Sequence, residues 1–561
     1  MTLQVFQGHT EWGRSMKKIL LILLFSVCIS VPVILPFFHP GYFPTHDGEW
    51  AVIRLTDMFR TLRDFQIPAR YSGNLNFGYG YPLFNFTYPF PYYFGTLLHF
   101  LGFSFVNTIK VIFAGSVVLS AFFMFLASKL LWKNVWAGII SSIFYIYFPY
   151  RIVDLYVRGS IGESLSFALF SLLFYLAVFL IKKPSSQLVS CIAISIGILI
   201  ATHNIMTVLF MPLFVIFVLI QSIFENKKAI KPFFVSLILG FGLAAFFWIP
   251  ALSEKGNILL SQIPIADRNL YFVDFKQLLF SGWGYGIPTD KNAFTYQLGI
   301  AHIVTLIVSI LSFLFFAIRG KKYFREYYVR SLSILIIFIG FYAFLLFKQS
   351  GFLWTNLPLL SEINYPWIVL GILGFLISLL AGFFSKNVFG RYLMLIFGII
   401  AIFITLPNAK PEKYINYPDS YYLTNDATTT SSNELMPLWV KKSPTRRVGK
   451  KAEIISGKGI ISEVFFNSKQ LDFLVNASTG VDVRINTIYY PGWKIYLDGE
   501  NVKINYTDDL GVMIIPISSG YHVVGARFGE TPLRLISDIL SIVSMGVVVL
   551  LIVKRKWYEI S

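Results

Sequence analysis

Three short stretches of this sequence gather side chains that can move a proton or hold an anion. The first is Thr45-His46-Asp47-Gly48-Glu49-Trp50. A general base must reach the proton of an attacking hydroxyl, and a carboxylate held at a membrane surface can do so. Asp47 is the first candidate for that base and Glu49 the second. The same residues also suit an ordinary helix start, with Thr45 or Asp47 satisfying free amides and Glu49 complementing the helix dipole.

The second stretch runs from Arg151 through Asp154, Tyr156 and Arg158 to Glu163. Guanidinium forks bind phosphate oxygens and stabilise charge on a departing phosphate, so Arg151 and Arg158 are candidate anion holders. An Arg151–Asp154 pair at helical spacing could instead anchor a helix end to headgroups, but that leaves Arg158 and Glu163 unexplained. The third stretch, His203-Asn204, falls where one apolar run ends and another begins, and there Asn204 could simply cap a helix. Arg70, in the same loop as Asp47, joins the binding candidates.

His46, Glu49, Glu163 and His203 could hold a divalent cation through nitrogen and oxygen ligands, although no ligand spacing demands one. No Walker-type loop, dinucleotide-binding glycine motif or Ser-His-Asp signal is present, which disfavours nucleotide-driven chemistry. The aromatic residues from Phe77 to Tyr93 suit an interfacial belt or a platform for a sugar or isoprenoid, and the belt is expected.

The elements that must position these residues are membrane spans. Hydrophobic residues make up 56% of the 561 and charged residues only 14%, outside the range of soluble domains. Apolar runs of about 20 residues, enough to cross a bilayer as helix, recur along nearly the whole chain. The net charge of +18 would raise the question of nucleic acid in a soluble protein; here the excess sits in short loops and reports topology. Cys28 and Cys191 fall inside predicted spans and imply neither a disulfide framework nor a thiolate metal site.

Thirteen apolar runs are visible, and the Lys/Arg bias decides which of them cross. Arg14, Lys17 and Lys18 place the N-terminus inside, and residues 17–38 read as an uncleaved first helix. If the weak run 88–102 also crossed, Lys129 and Lys133 and every later basic cluster, through Lys554 to Lys556, would lie outside. That run is therefore expected to lie at the interface, as its Pro89, Pro91, Tyr92, Tyr93 and His99 suggest.

Twelve spans remain: the first helix and runs near 107–128, 136–150, 161–181, 186–203, 205–224, 232–251, 299–318, 331–348, 367–384, 391–407 and 534–553. The run at 136–150 is short, which suits a thinned region or the border of an aqueous cavity. Both termini are then cytoplasmic. Residues 409–533 form an extracytoplasmic domain, expected to be a small β-sandwich from the alternation over 481–485 and 502–506. A hairpin is expected at 493–504 around Asp498-Gly499. The chain thus divides into a transmembrane part (1–408, with juxtamembrane helices in 40–105), the β-rich part (409–533), and a last helix with its tail (534–561).

At these residues the chain resembles GT-C type membrane glycosyltransferases. Within them it is similar to the large membrane proteins called YfhO-like or 6-pyruvoyl-tetrahydropterin-synthase-related, a label that says nothing of pterin chemistry here. The resemblance is carried, in order, by His46-Asp47, Ile67-Pro68-Ala69-Arg70, Gly78-Tyr79-Gly80-Tyr81-Pro82, Leu155-Tyr156-Val157-Arg158-Gly159 with Glu163, Thr202-His203-Asn204, Phe247-Trp248-Ile249-Pro250-Ala251 and Tyr489-Tyr490-Pro491-Gly492-Trp493. Such enzymes have an acidic residue in the first extracytoplasmic loop, followed by juxtamembrane helices, and use sugars linked to polyprenyl phosphate. Asp47 matches that acid and 88–102 the juxtamembrane element. Relatives often have a histidine a few residues after the acid, where this chain has Glu49-Trp50.

The resemblance implies transfer of a sugar from a polyprenyl-phosphate-linked donor to an extracytoplasmic glycan, lipid or cell-wall polymer. Asp47 or Glu49 would be the base, Arg151 and Arg158 would hold the donor phosphate, and Glu163 and His203 would orient groups around the cavity. Its partners are the lipid-linked donor, membrane lipids and a cell-envelope acceptor, not nucleic acid. A flippase for a lipid-linked glycan is a rival, although no inverted repeats are visible. A non-catalytic assembly protein is another.

Overall fold

The computed structural model describes residues 2–290 and 293–553, with the side chains of 2–15 and 321 set aside. The Lys554 to Lys556 cluster and the side chain of Arg14, both used for the expected topology, lie outside that description. Among the described residues, nine helices are long and apolar enough to cross a membrane. They are Met16–Phe38, Phe105–Trp132, Ile161–Lys182, Asn204–Glu225, Ile300–Arg319, Tyr327–Leu345, Pro366–Lys386, Val388–Asn408 and Pro532–Val553. A tenth comes from Lys227–Leu243 and Ala245–Ser253, bent by 67° at their junction. Two shorter apolar helices, Val135–Ile146 and Ser186–Thr202, occupy the remaining expected runs. All twelve runs are therefore helical, but by length and composition nine or ten qualify as spans.

The centre of the bundle is Pro366–Lys386, with 94% of its apolar window inside the fold. Two small residues allow this depth, because a β-carbon at Gly371 or Gly374 would come within 2.6 or 2.4 Å of Phe167 or Phe148. Val135–Ile146 has only 12 residues and rises about 18 Å, well short of a hydrocarbon core of about 30 Å. Its chain then breaks at Phe148-Pro149, and the broken continuation carries the second group of charged residues.

Within the weak run 88–102 the helix is Phe90–Phe100, whose 11 residues rise about 16 Å and cannot span. Gly95 packs it onto Leu55 of the Gly48–Arg63 helix, leaving Phe94, Leu97 and Phe100 exposed. The aromatic residues before it do not form the expected belt. Tyr71, Tyr81 and Tyr92 are fully buried, and the Tyr71 hydroxyl donates to the Ile488 carbonyl at 2.8 Å. These rings belong to one apolar cluster that joins the first loop to the C-terminal strands and to the outer parts of several helices.

That C-terminal part has eight strands in two antiparallel sheets. Strands β1 (Ala452–Ser456), β4 (Val481–Ile488) and β7 (Val512–Ile517) form one, in the order β1-β4-β7. Strands β2 (Gly459–Phe466), β3 (Gln470–Ala477), β5 (Trp493–Leu497), β6 (Glu500–Val502) and β8 (Gly520–Phe528) form the other, in the order β2-β3-β8-β5-β6. Phe473, Val475, Val483, Ile485, Met513, Ile515, Val524 and Ala526 from both sheets share one buried apolar cluster, as in a sandwich. The β5–β6 turn has positive φ at both Asp498 (52°) and Gly499 (90°), the type I′ geometry that matches strand twist.

Two expectations fail locally. The alternation over 502–506 leaves the sheet after Val502, keeping only an isolated Asn505–Ile514 bridge. Residues 409–451 contain one short helix, Asp419–Thr424, and no strand. This stretch lies along the first loop instead, bridged at Tyr42–Ile415, where its backbone groups find partners.

Candidate functional site

Pro149 opens a short helix, Pro149–Val153, whose first turn needs no proline N–H. One π-helical turn, Asp154–Arg158, follows and is closed by Gly159 at φ 67°, whose N–H donates to the Asp154 carbonyl at 2.8 Å. Gly159 also lets the first loop approach, since a β-carbon there would stand 2.0 Å from Thr45 Oγ1. The two loops are stitched by backbone: His46 N–H donates to the Val157 carbonyl (3.0 Å) and Asp47 N–H to that of Arg158 (2.8 Å). Thr45 Oγ1 accepts from Gly48 N–H at 2.8 Å, while the Asp47 side chain makes no capping bond. The capping role thus falls to Thr45 and leaves the Asp47 carboxylate available.

Arg158 stands between two carboxylates, its Nη2 3.7 Å from Asp47 Oδ2 and 3.4 Å from Glu163 Oε2. Its guanidinium lies 4.4 Å over the Trp367 ring. Glu163, fully buried in the first turn of Ile161–Lys182, accepts from the Tyr150 hydroxyl at 2.6 Å through Oε1. Glu163 Oε2, both Asp154 oxygens, Arg158 Nε and Arg151 Nε are buried without a hydrogen-bond partner. Apart from the ion pair that Glu163 Oε2 makes with Arg158, so many unsatisfied atoms in one place are rare in a finished core and make the cluster a candidate site. The cluster holds Asp47, Asp154 and Glu163 against Arg151 and Arg158, one acid too many. Burial and the charge of Glu163 push the Asp154 carboxyl well up.

The other sequence candidates divide between this cluster and other places. His203, rather than Asn204, caps the Asn204–Glu225 helix, its Nδ1 accepting from Met206 N–H at 3.2 Å. Its ring stacks on Tyr88 at 5.2 Å. Asn204 is exposed, its Oδ1 accepting from Ile205 N–H at 3.1 Å. His46 Nε2 donates to the Gly286 carbonyl at 3.1 Å, and burial followed by Arg158 lowers its pKa. Glu49 sits among Tyr42, Tyr421 and Tyr422, on another side of the helix from Asp47, and makes no ion pair among the described residues.

Arg151 lies behind Glu163, donating to the Ser164 carbonyl (3.1 Å) and to the Ser116 and Ser120 hydroxyls (3.2 and 3.4 Å). Arg70 is away from the cluster altogether. It is buried, pairs with Glu530 at 3.2 Å and Asp538 at 2.8 Å, and donates to the Phe246 carbonyl. His46, Glu49, Glu163 and His203 do not converge, and no group of three or more His, Cys, Asp or Glu fit to hold a metal ion exists among the described residues.

The structure adds Tyr88, Tyr150 and Trp367 and brings in Arg54, which the sequence already places in the first loop beside Asp47. Arg54 follows Asp47 by seven positions, two helical turns, and so shares its face, a spacing visible in the sequence. Its Nε donates to Thr429 Oγ1 at 3.1 Å. Nothing in the sequence ties Trp367 to Arg158. Ser518, His522 and Asp498 also stand in hydrogen-bond order, at 3.3 and 2.6 Å, but Asp498 Oδ1 accepts from Val523 N–H and the trio joins two exposed hairpin tips.

Fold and cluster together define a multi-pass membrane protein with a C-terminal β-sandwich and a buried acid–arginine cluster beneath its first loop. Residues 84–411, more than half the chain, match the 6-pyruvoyl-tetrahydropterin synthase related domain, described as a membrane protein, and the chain belongs to that family. The match includes Arg158, Glu163, His203 and Trp367 and begins after Asp47. An uncharacterized protein of Lactococcus lactis subsp. cremoris is 24% identical over 332 residues, covering 56% of this chain and 52% of its own. The chain thus spans about half the length of that relative.

Among solved structures, the mycobacterial arabinofuranosyltransferase AftD aligns with a TM-score of 0.44 and 14% identity, over 72% of this chain and 28% of its own. The oligosaccharyltransferase of Archaeoglobus fulgidus aligns at 0.43 and 13%, over 74% and 60%. Scores at that level carry no argument about this chain.

Proposed function

We propose that the protein is a membrane glycosyltransferase that moves a sugar from a polyprenyl-phosphate-linked donor to a hydroxyl of an extracytoplasmic glycan, lipid or cell-wall polymer. The observation that carries this reading is an Asp47 carboxylate released from capping and held 3.7 Å from Arg158, at the mouth of a buried cluster of unsatisfied polar atoms. Asp47 takes the proton of the acceptor hydroxyl. The hydroxyl oxygen bonds to the anomeric carbon from the face opposite the leaving group, and the bond from that carbon to the donor phosphate oxygen breaks. The electron pair departs on the lipid phosphate, whose charge Arg158 stabilises through the guanidinium edge that includes the unpartnered Nε.

Glu163 fixes the position of Arg158, and His203 with Tyr88 forms the wall beside it. The basic loops support a site on the outer face with both termini inside.

Asp47→Asn, assayed in membranes with a polyprenyl-phosphate-linked sugar, is expected to lower transfer by about 100-fold or more, the scale of a lost general base. Arg158→Lys should retain a fraction of the rate that Arg158→Gln loses. Undiminished transfer by a folded Asp47→Asn protein would remove the base assignment. If Arg158→Gln were also fully active, an assembly role would replace the enzymatic one.

A further inference from the structure

A trough separate from the acid–arginine cluster runs between the far end of the Gly48–Arg63 helix, the 423–426 and 447–451 stretches and edge strand β2. It consists of two adjoining hollows of about 400 and about 940 Å³ that share Gly449, Lys451 and Phe466. Volumes of this order are those of sites for small organic ligands. Arg60 lines the first hollow and follows Asp47 by thirteen positions on one helix, which sets the two about 20 Å apart.

The charge in the first hollow is unbalanced. Arg60, Arg447 and Lys451 face a single lining acid, Asp426. Arg447 consumes that acid, with Nε 2.6 Å from it and Nη2 donating to the Thr424 carbonyl at 2.8 Å. The Arg60 guanidinium has neither ion pair nor hydrogen bond among the described residues. Asp57, one turn earlier on the helix, is buried, and its Oδ1 is taken by Asn74 Nδ2 at 3.2 Å. The Lys451 ammonium reaches only the Gly78 carbonyl and lies 5.2 Å over the Phe466 ring.

The walls are as informative as the charges. Phe466 is 52% exposed although it borders both hollows, and among the described residues its ring carries only the Lys451 ammonium on one face. Asn486, buried in the wall of the second hollow, has an Oδ1 without a hydrogen-bond partner. Glu453 also lines that hollow and accepts from Asn486 Nδ2 at 2.9 Å, opposite Lys450. An unpaired Arg60 and a singly bonded Lys451 for an anion, an amide for hydroxyls and one half-exposed ring for an apolar face match a sugar that carries charge.

We propose that this trough binds an anionic saccharide, with its acidic group on Arg60 and Lys451 and a sugar ring over Phe466. Binding here stands without the transferase reading; only the further step, that the saccharide is part of the acceptor, rests on it.

The test uses the full chain in nanodiscs of uncharged phosphatidylcholine, titrated with trigalacturonate, maltotriose and inorganic phosphate. Trigalacturonate should bind at least tenfold more tightly than either control and weaken as salt is raised. Arg60→Gln and Phe466→Ala should each reduce its affinity about tenfold or more, and Asp47→Asn should leave it unchanged. Arg60 makes no ion pair or hydrogen bond among the described residues, acting only at longer range on Asp57, and Phe466 is exposed, so both variants should keep a thermal midpoint close to wild type.

Equal affinity for maltotriose, equal affinity for inorganic phosphate, or wild-type binding by both variants would overturn the proposal. So would binding to anionic lipid vesicles, but not to trigalacturonate, that is lost in Arg60→Gln. Because the readout is binding, a failed transferase assay leaves it untouched, and failure here leaves the Asp47 assignment standing.

Discussion

Asp57 shows how burial sets a titration. It lies inside the Gly48–Arg63 helix with one oxygen on Asn74, and burial, opposed by Ser72 and Asn74, raises its pKa from 3.8 to about 6. Between those values the folded chain holds a proton that the unfolded chain has released. Stability from this group therefore falls as pH rises from about 4 to 6 and stays lower above, by at most about 3 kcal/mol. The thermal midpoint of wild type should drop over that interval, and Asp57→Asn should flatten the profile. An unchanged slope would show that another group sets it. Thr45→Ala should cost about 1 kcal/mol, the usual effect of losing a helix cap, with the midpoint again the readout.

At this scale the sequence was informative for Asp47, Arg158 and Glu163, because ionised groups beside long apolar runs have few uses other than pairing or function. It was uninformative for Arg70, whose partners Glu530 and Asp538 lie hundreds of residues away, and for His203, whose ring took the capping role that residue type assigns to Asn204.

Among elements, the π-turn and Gly159 do most to assemble the candidate site. Gly159→Ala adds left-handed strain of about 1–2 kcal/mol and a contact with Thr45 Oγ1 that the backbone cannot relieve without moving the first loop. The expected result is transfer reduced at least as far as in Asp47→Asn, because Asp47 and Arg158 lose register together. Thr45→Ala removes the clashing oxygen. A double-mutant cycle should therefore show Thr45→Ala/Gly159→Ala less damaged than the sum of the single changes, and strict additivity would mean the two loops do not press on each other.

The twelve helical runs were legible because apolar length is a strong, local signal, but the short run at 136–150, read as suiting a thinned region or a cavity border, gave no sign of the break at Phe148-Pro149. Residues 409–451 were misassigned because polarity marks a departure from the membrane without saying what the chain pairs with. Here it pairs with the first loop.

Over the whole molecule, two buried arginines fasten the last helix to everything else. Arg534 meets Glu254 with Nε at 2.9 Å and Nη2 at 2.7 Å, and the same carboxylate accepts from Asn85 (2.9 Å) and from the Tyr490 hydroxyl (3.1 Å). One side chain at the end of the bent helix pair thus joins the first loop, the β-sandwich and the final span. Arg70 repeats the tie from the first loop to Glu530, Asp538 and the bent helix. No periodicity announces such contacts, since their partners share neither element nor neighbourhood in sequence. Removing one partner leaves a buried charge unpaired, which costs about 3–5 kcal/mol, whereas replacing both with apolar groups of similar size costs far less. Glu254→Gln should therefore lower the thermal midpoint sharply and expose the 409–451 stretch to protease, and Glu254→Leu/Arg534→Met should recover much of both. A double variant as unstable as the single one would mean that the carboxylate acts through Asn85 and Tyr490 rather than through Arg534.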